Sequence, residues 1–230
     1  MIITVTSWRG IGATTTALLL AASFAEREPG WLIEADPAGG VLAGRLHVDA
    51  GALGALEQIA FPTGQPVGVE AFRSSAHHRG DLRIVTAPAD PFRAHACHAP
   101  RWAWQTALRD LHDDVVVDAG RLRAATPAWP LLTMADVVVL VASPEVSAAV
   151  ASVEWLHAAG RVSPIDAGLD DVPVRVAAVD SPGGVAFGRD ALERELGGRF
   201  GAWLPWEPNT VELLHRGAAP TDRRYRRGAL

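Results

Sequence analysis

A glycine-containing loop near the start of the chain constrains its fold and chemistry more than any other feature. Ile2 to Thr6 has the apolar, β-branched character of a strand, and Thr16 to Ala25 has the composition of a buried helix. Between them lie Gly10 and Gly12, followed by threonines. A glycine loop between a strand and a helix binds phosphates, because its backbone N–H groups and the positive end of the helix dipole converge on the anion. The sequence therefore predicts a phosphate-binding loop over residues 7–16.

The predicted loop lacks the lysine on which such sites usually depend. The common motif closes with Gly-Lys-Ser/Thr, in which the lysine contacts the outer phosphates and the hydroxyl holds Mg²⁺. Here the run is Gly12, Ala13 and Thr14, and all 21 basic residues of the chain are arginines. A charged hydrogen bond to phosphate contributes roughly 1.5–3 kcal/mol, or roughly 10- to 100-fold in affinity. A cation at the transferred phosphoryl group is worth about 10³ to 10⁵ in rate, so hydrolysis is lost before binding.

Two later strands end in carboxylates, as a nucleotide site of this kind requires. The second apolar strand runs into Glu34 and Asp36, and the apolar run at 114–117 ends in Asp118, with Gly120 two residues further on. A carboxylate at the end of such a strand can hold Mg²⁺ through water, and the glycine N–H can reach a γ-phosphate. The alternative for Glu34 and Asp36 is a structural role, in which they cap the turn that follows.

The loop resembles the deviant Walker A motif of the MinD/ParA family of ATPases, which reads Ser-Lys-Gly-Gly-Val-Gly-Lys-Thr-Thr. Residues 7–15 align with this motif, and Trp8 and Ala13 replace its two lysines. The resemblance implies ATP or ADP with Mg²⁺ as the cofactor, bound weakly, with no cofactor as an equal alternative. The residues that it places at the nucleotide are Arg9, Gly10, Ile11, Gly12, Ala13, Thr14 and Thr15.

The same resemblance gives roles to residues outside the loop. Asp36 and Asp118 stand at the family's catalytic carboxylates, where we expect weak or vestigial activity. If nucleotide binds, Thr14 and Asp118 stand where the family holds Mg²⁺. Pro205 matches a proline loop that lines the family's base pocket, and Asp180 replaces a frequent base-contacting asparagine.

A dinucleotide-binding fold is the alternative interpretation of the loop. Residues 10–15 nearly match Gly-x-Gly-x-x-Gly, and Glu34 ends the second strand where such folds carry a ribose-binding acid. However, Thr15 replaces the third glycine, and three residues separate the strand from Gly10. The Ser-Pro-Glu run at 143–145 resembles a MinD-type segment and has no counterpart in a dinucleotide fold. We therefore favour the MinD/ParA-like interpretation.

Trp8 and the chain's end bear on the choice of partner. The family's lysine at the position of Trp8 reaches across a dimer, and a tryptophan there is a typical interface anchor. The equal alternative is that Trp8 folds over its own loop and fills the phosphate space. We expect a protein partner, in a homodimer or in a heterodimer with a related ATPase. The tail at 221–230 carries four arginines and is expected to be solvated, with nucleic-acid or membrane contact as the minority alternative.

The expected fold is a single α/β domain over residues 1–220, with a P-loop NTPase-like three-layer architecture. A mostly parallel sheet of about seven strands should be flanked by helices, with the first strand inside the sheet. The net charge of −5 does not indicate a general nucleic-acid binder. One cysteine, Cys97, excludes an internal disulfide and predicts a cytoplasmic location, and the apolar runs are too short to span a membrane.

These features predict a MinD/ParA-like pseudo-ATPase. Such a protein would be a binding, scaffold or regulatory component of a bacterial positioning, secretion, division or DNA-partition system. The alternative is an active ATPase in which Arg9, or a cation supplied by a partner, replaces the missing lysines.

Overall fold

The computed structural model describes residues 1–48, 54–61, 67–99, 104–121, 126–162, 169, 171–180 and 188–216. The strands in these ranges are β1 (Ile2–Ser7), β2 (Gly30–Glu34), β3 (His77–Arg79), β4 (Leu82–Val85), β5 (Asp114–Arg121), β6 (Val137–Ala142), β7 (Val174–Val179) and β8 (Phe200–Leu204). The helices are α1 (Ala13–Ala25), α2 (Leu42–Arg45), α3 (Ala55–Ala60), α4 (Val69–Ser75), α5 (Pro91–Ala96), α6 (Trp104–Ala107), α7 (Trp129–Thr133), α8 (Val146–Val162), α9 (Arg189–Leu196) and α10 (Pro208–His215). Short 3-10 turns cover Leu108–Leu111 and Gly197–Arg199.

One sheet organises the described residues, with the strand order β3-β4-β2-β5-β1-β6-β7-β8. All neighbouring strands pair in parallel except β3 and β4, which are antiparallel. The first strand lies between β5 and β6, which confirms its expected position inside the sheet. Helices flank the sheet, so the predicted α/β class and mostly parallel sheet are confirmed.

The sheet contains eight strands where about seven were expected. The sequence did not indicate β3 or β8, which form the two edges of the sheet. The first is three polar residues long, and the second includes a glycine and is only partly buried. An edge strand does not need the continuous apolar run that marks a strand buried on both faces, so its sequence signal is weak.

The interior strands are buried on both faces, which explains their apolar runs. One face packs against α1, where Ala17, Leu18 and Ala21 contact a cluster that includes Leu32 and Val116. The opposite face holds a larger cluster, whose bulkiest members are Trp31, Trp104, Trp129 and Phe72. With both faces covered, only the ends of the strands are open to carry a site.

The first helix begins earlier than the sequence predicts. We expected it from Thr16, but α1 starts at Ala13, and the Thr16 N–H donates to the Gly12 carbonyl at 2.9 Å. Threonine has a low helix propensity, so the run at 14–16 resembles loop rather than helix. The consequence is that Ala13 and Thr14 belong to the first turn of the helix, where backbone N–H groups are free.

The carboxyl end of the chain is described only in part. The last described helix, α10, ends at His215, and the arginine-rich tail predicted at 221–230 lies outside the described residues. No helix in the described ranges is long and apolar enough to cross a membrane.

Candidate phosphate-binding site

The loop after β1 has the backbone geometry of a phosphate-binding loop. Gly10 and Gly12 have φ angles of +75° and +67°, in the left-handed region that glycine adopts without strain. The buried Ser7 hydroxyl accepts hydrogen bonds from the N–H groups of Gly10, at 2.7 Å, and Ile11, at 3.0 Å. The loop shape is therefore fixed by its own residues and does not depend on the missing lysine.

A cavity of about 120 Å³ lies against this loop. Its loop-side lining consists of Gly10, Gly12, Ala13, Thr14 and Thr15, and the rest of its lining consists of Asp36, Arg45, Gly120 and Arg121. The glycine loop, the start of α1 and two arginines line this space, and these groups suit a phosphate.

Asp36 and Gly120 are in direct contact at this edge of the sheet. The Asp36 carboxylate accepts the Ala38 N–H at 2.8 Å. Gly120 has φ +59°, and a Cβ built on it would lie 2.0 Å from Asp36 Oδ2, so no larger residue fits there. Burial raises the pKa of Asp36, while the backbone N–H groups of Ala38 and Arg121 oppose this. The carboxylate expected after β2 thus meets the end of β5.

Asp118 is fully buried beside it. Its Oδ1 accepts the Gly120 N–H at 2.9 Å, whereas its buried Oδ2 has no hydrogen-bond partner among the described residues. Burial raises the pKa of Asp118 to about 7, and the nearby Glu34 charge acts in the same direction against the Thr14 hydroxyl and the Gly120 N–H. An orphaned carboxylate oxygen close to a hydroxyl matches the oxygen ligands that Mg²⁺ prefers. Thr14 and Asp118 therefore fit the metal ion that the sequence predicts.

Glu34 has a structural role at the end of β2. Its Oε1 accepts the N–H groups of Val41, at 2.6 Å, and Leu42, at 2.8 Å, and its Oε2 accepts the Ala87 N–H at 3.0 Å. The side chain is buried, and burial raises its pKa although the three backbone donors oppose this. This carboxylate fixes the start of α2 and the loop after β4.

Trp8 and Arg9 lie outside the cavity lining. The Trp8 ring stacks on Trp155 of α8 with centroids 6.0 Å apart and an interplanar angle of 16°. Arg9 is exposed, and its guanidinium lies 5.2 Å from the centroid of the Trp8 ring. Trp8 thus covers α8 instead of the phosphate space, and Arg9 contacts Trp8.

Pro205 is exposed at the end of β8, the third strand from β1 on its side of the sheet. It shares the carboxyl edge of the parallel strands with the loop but does not line the cavity. Of the residues that the resemblance placed at the nucleotide, Arg9, Ile11 and Pro205 therefore do not line the cavity.

Two arginines that sequence reasoning missed, Arg45 and Arg121, do line the cavity. A signal existed for Arg121, which directly follows Gly120 at the end of a strand ending in a carboxylate. No comparable signal marks Arg45, because α2 is only four residues long and its position depends on Glu34.

Comparisons with known proteins agree on the fold. No protein-family model matches the sequence, and no curated protein matches it. Among solved structures, the septum site-determining protein MinD complexed with Mg-ADP from Pyrococcus horikoshii OT3 is similar with a TM-score of 0.71 and 15% identity, covering 99% of this chain and 92% of that chain. The cell division ATPase MinD from Pyrococcus furiosus has a TM-score of 0.70 and 16% identity, covering 99% and 94%.

A ParA family ATPase from Chlorobium tepidum TLS is similar with a TM-score of 0.69 and 12% identity, covering 99% of this chain and 95% of that chain. The likeness extends over nearly the whole length of each protein, although few residues are identical. The chain therefore has the fold of the MinD and ParA P-loop ATPases.

Proposed function

We propose that this chain is a MinD/ParA-like pseudo-ATPase that binds nucleotide weakly or not at all. It acts as a binding, scaffold or regulatory component of a bacterial positioning, secretion, division or DNA-partition system. The observation that carries the proposal is Ala13, a methyl side chain on the cavity wall at the position of the phosphate-binding lysine. The loop keeps its shape and loses its own cation, which favours binding over hydrolysis.

The remaining groups support a binding role. The loop N–H groups and the start of α1 would bind phosphate, Thr14 and Asp118 would hold Mg²⁺, and Asp36 would orient water near the outer phosphate. When bound, Mg²⁺ neutralises phosphate charge. The solved structure of MinD from P. horikoshii is a complex with Mg-ADP, and we propose Mg-ADP as a ligand of this chain too.

A turnover assay tests the proposal. The purified protein should release no phosphate from Mg²⁺-ATP above the level of a Thr14→Ala variant, because the loop cation that offsets γ-phosphate charge is absent. Thr14→Ala is the matched control, since it removes the proposed Mg²⁺ ligand and leaves Ala13 in place. Turnover by the unmodified chain that Thr14→Ala abolishes would contradict the pseudo-ATPase.

The alternative function is an active ATPase, and one observation favours it. Arg45 and Arg121 line the cavity and could supply the missing charge, whereas Arg9 does not line it. Turnover that is lost in Arg121→Gln but kept in Arg9→Ala would establish an enzyme with a cavity arginine as its cation. Turnover lost only in Arg9→Ala would instead establish Arg9.

We also propose that the surface around Trp8 contacts a protein partner, either a second copy or a related ATPase. Trp8 is half-buried and stacked on Trp155, which gives a rigid aromatic surface with Arg9 beside it. Light scattering should show a larger mass for the wild type than for Trp8→Ala. Trp206→Ala is the control, because Trp206 is an exposed tryptophan elsewhere. Equal masses for the wild type and Trp8→Ala, with and without ATP, would remove a self-association role.

A further inference from the structure

We propose that Arg45 and Arg121 form a two-arginine clamp for the terminal phosphate of a diphosphate- or triphosphate-bearing ligand. The clamp would hold that phosphate with side chains that come from outside the loop sequence. The inference rests on the proposed function, because it names the cations of the same site.

Arg121 is placed by the sheet itself. It ends β5, where its register partner is Ser7 at the end of β1. Its Nε donates to the Trp8 carbonyl at 3.3 Å, and a Cβ built on Gly10 would lie 3.3 Å from its Cδ. The aliphatic part of the side chain therefore lies on the loop. Only Nε is engaged in this hydrogen bond, so the other guanidinium nitrogens remain for a ligand.

Arg45 is placed by a separate element. It is the last residue of α2, whose first N–H group, on Leu42, donates to the buried Glu34 carboxylate. Leu42 and Leu46, on either side of Arg45, are buried in the cluster beneath α1. These contacts fix the short helix and hold Arg45 at the cavity before any ligand arrives.

Neither arginine has a carboxylate partner in the described part of the chain. The ion pairs there involve other arginines, and no side-chain hydrogen bond of Arg45 is formed with these residues. Surface arginines of this protein do pair with acids, as Arg189 does with Glu193 at 2.8 Å. The lining of one small cavity therefore carries two guanidinium groups without a carboxylate partner among these residues and one carboxylate, that of Asp36.

Phosphate is the anion that this arrangement fits. Guanidinium groups present a planar fork that matches phosphate oxygens, and they remain protonated at all physiological pH values. The loop N–H groups and the first turn of α1 provide further donors on the other wall. Asp118 Oδ2 is buried and has no hydrogen-bond partner among the described residues, and the nearby Thr14 lines the cavity. The two residues add a place for Mg²⁺, the usual companion of a polyphosphate.

Calorimetry with Mg²⁺ and two probes, ADP and inorganic pyrophosphate, tests the clamp. The wild type should bind both probes, and Arg45→Gln and Arg121→Gln should each weaken binding about 10- to 100-fold. AMP should bind more weakly than ADP, because it lacks the terminal phosphate of a diphosphate. Arg121→Lys should recover part of the loss, since it restores the charge without the fork.

Arg9→Gln is the matched control, because it removes an arginine of the phosphate-binding loop that does not line the cavity. It should leave the affinity for both probes unchanged. Thermal unfolding without ligand checks that each variant is folded. An equal loss in Arg9→Gln and Arg121→Gln would overturn the clamp in favour of general attraction by the loop.

The outcomes separate the clamp from the proposed function. Wild-type binding of ADP that both cavity variants retain would overturn the clamp and leave the pseudo-ATPase standing. No binding of pyrophosphate by the wild type would also overturn the clamp. ATP turnover by the wild type would contradict the pseudo-ATPase, whereas arginine-dependent binding would still support the clamp.

Discussion

The two walls of the cavity keep different parts of a nucleotide site. The loop wall, residues 7–15, keeps the backbone: two left-handed glycines, a serine that holds the loop, and free N–H groups at the start of α1. It has no lysine, since Trp8 and Ala13 occupy the two lysine positions of the motif that it resembles. The strand wall, residues 34–45 and 118–121, keeps its carboxylates and adds two arginines. The loop wall thus has the backbone geometry of a phosphate site, whereas the strand wall has the charged side chains that line the cavity.

The difference shows what each wall requires of its residues. A loop geometry depends on glycine torsions and local hydrogen bonds, which do not involve the side chains at 8 and 13. The strand wall depends on carboxylates that are buried and bonded to their own backbone, so their loss would disturb the fold itself. A site of this kind can therefore lose its loop lysines without unfolding, but it cannot easily lose its acids.

Removing the Glu34 carboxylate should have the largest effect on stability. Glu34→Ala leaves three N–H groups without their acceptor, and each buried unsatisfied group costs roughly 1–3 kcal/mol, so we expect a loss of about 5 kcal/mol. Urea unfolding at pH 7 measures it. Asp90→Ala is the control, because Asp90 caps the exposed start of α5 and its loss should cost only about 1 kcal/mol. Equal losses of unfolding free energy in Glu34→Ala and Asp90→Ala would show that the buried Glu34 carboxylate contributes no more than an exposed helix cap.

The pH dependence of stability should reveal the buried Asp118. Its pKa is raised by burial from 3.8 in the unfolded chain to about 7 in the folded protein. The folded state therefore binds more protons between these values, and stability falls as the pH rises through them, by up to about 4 kcal/mol. Asp118→Asn should show a smaller fall, whatever its stability at pH 4, because Glu34 and Asp36, whose pKa values are also raised, still contribute to it. If the wild type and Asp118→Asn gave parallel profiles of unfolding free energy against pH, Asp118 would not have the raised pKa that burial implies.

His98 should give a pH dependence of the opposite sign. The imidazole is buried against Trp104, and both its nitrogens lack partners among the described residues. Burial lowers its pKa from 6.5 to about 4, with the His95 charge acting in the same direction. Stability is therefore lost as the pH falls from 6.5 to 4, by up to about 3 kcal/mol.

His98→Phe keeps an aromatic ring at this position and removes the titration. Its unfolding free energy should change less than that of the wild type over the same pH range. Asp118→Asn is the matched comparison, because removing the Asp118 carboxylate should change the slope of unfolding free energy against pH in the opposite direction. If His98→Phe and the wild type lose stability equally on acidification, His98 is not the group responsible.

The sequence predicts the fold well because the fold depends on local, repeated signals. Apolar runs ending in Asp36 and Asp118 indicate strands buried on both faces, and Gly10 and Gly12 indicate a loop between β1 and α1. The edge strands and the start of α1 were not predicted correctly, because their residues have weak propensities. The secondary structure of these segments depends on tertiary packing more than on local propensity.

The candidate site is predicted only in part from the sequence. Gly120 beside Asp36 follows from two strand ends meeting at one edge of a parallel sheet. Arg45 could not be found in this way, because its position depends on Glu34 accepting N–H groups from the start of α2. The sequence instead drew attention to Arg9, which is adjacent to the loop in the chain but contacts Trp8 in the structure. Proximity in sequence is a poor guide where side chains from several elements converge.

Restoring a lysine at position 13 compares the two walls directly. The Ala13 side chain lies on the cavity wall at the first turn of α1, so Ala13→Lys adds a cation on the loop side. In a variant that also carries Arg45→Gln and Arg121→Gln, we expect ADP affinity to rise about 10- to 100-fold. In the wild-type background the gain should be smaller, because two guanidinium groups already neutralise the phosphate and repel the lysine. Ala13→Gln, of similar length but neutral, isolates the charge.

Turnover should stay absent in both backgrounds, because Ala13→Lys restores only one of the two lysines of the motif that the loop resembles, and Trp8 occupies the position of the other. We expect turnover to require Trp8→Lys with Arg9→Gly as well. Calorimetry with ADP and a phosphate-release assay measure the two effects separately. Equal gains in affinity with and without the arginines would show that the lysine and the arginines bind different groups. The two walls would then be independent sites instead of two sides of one phosphate. A smaller gain in ADP affinity in the presence of the arginines would show instead that Arg45 and Arg121 contact the same phosphate as a lysine at position 13.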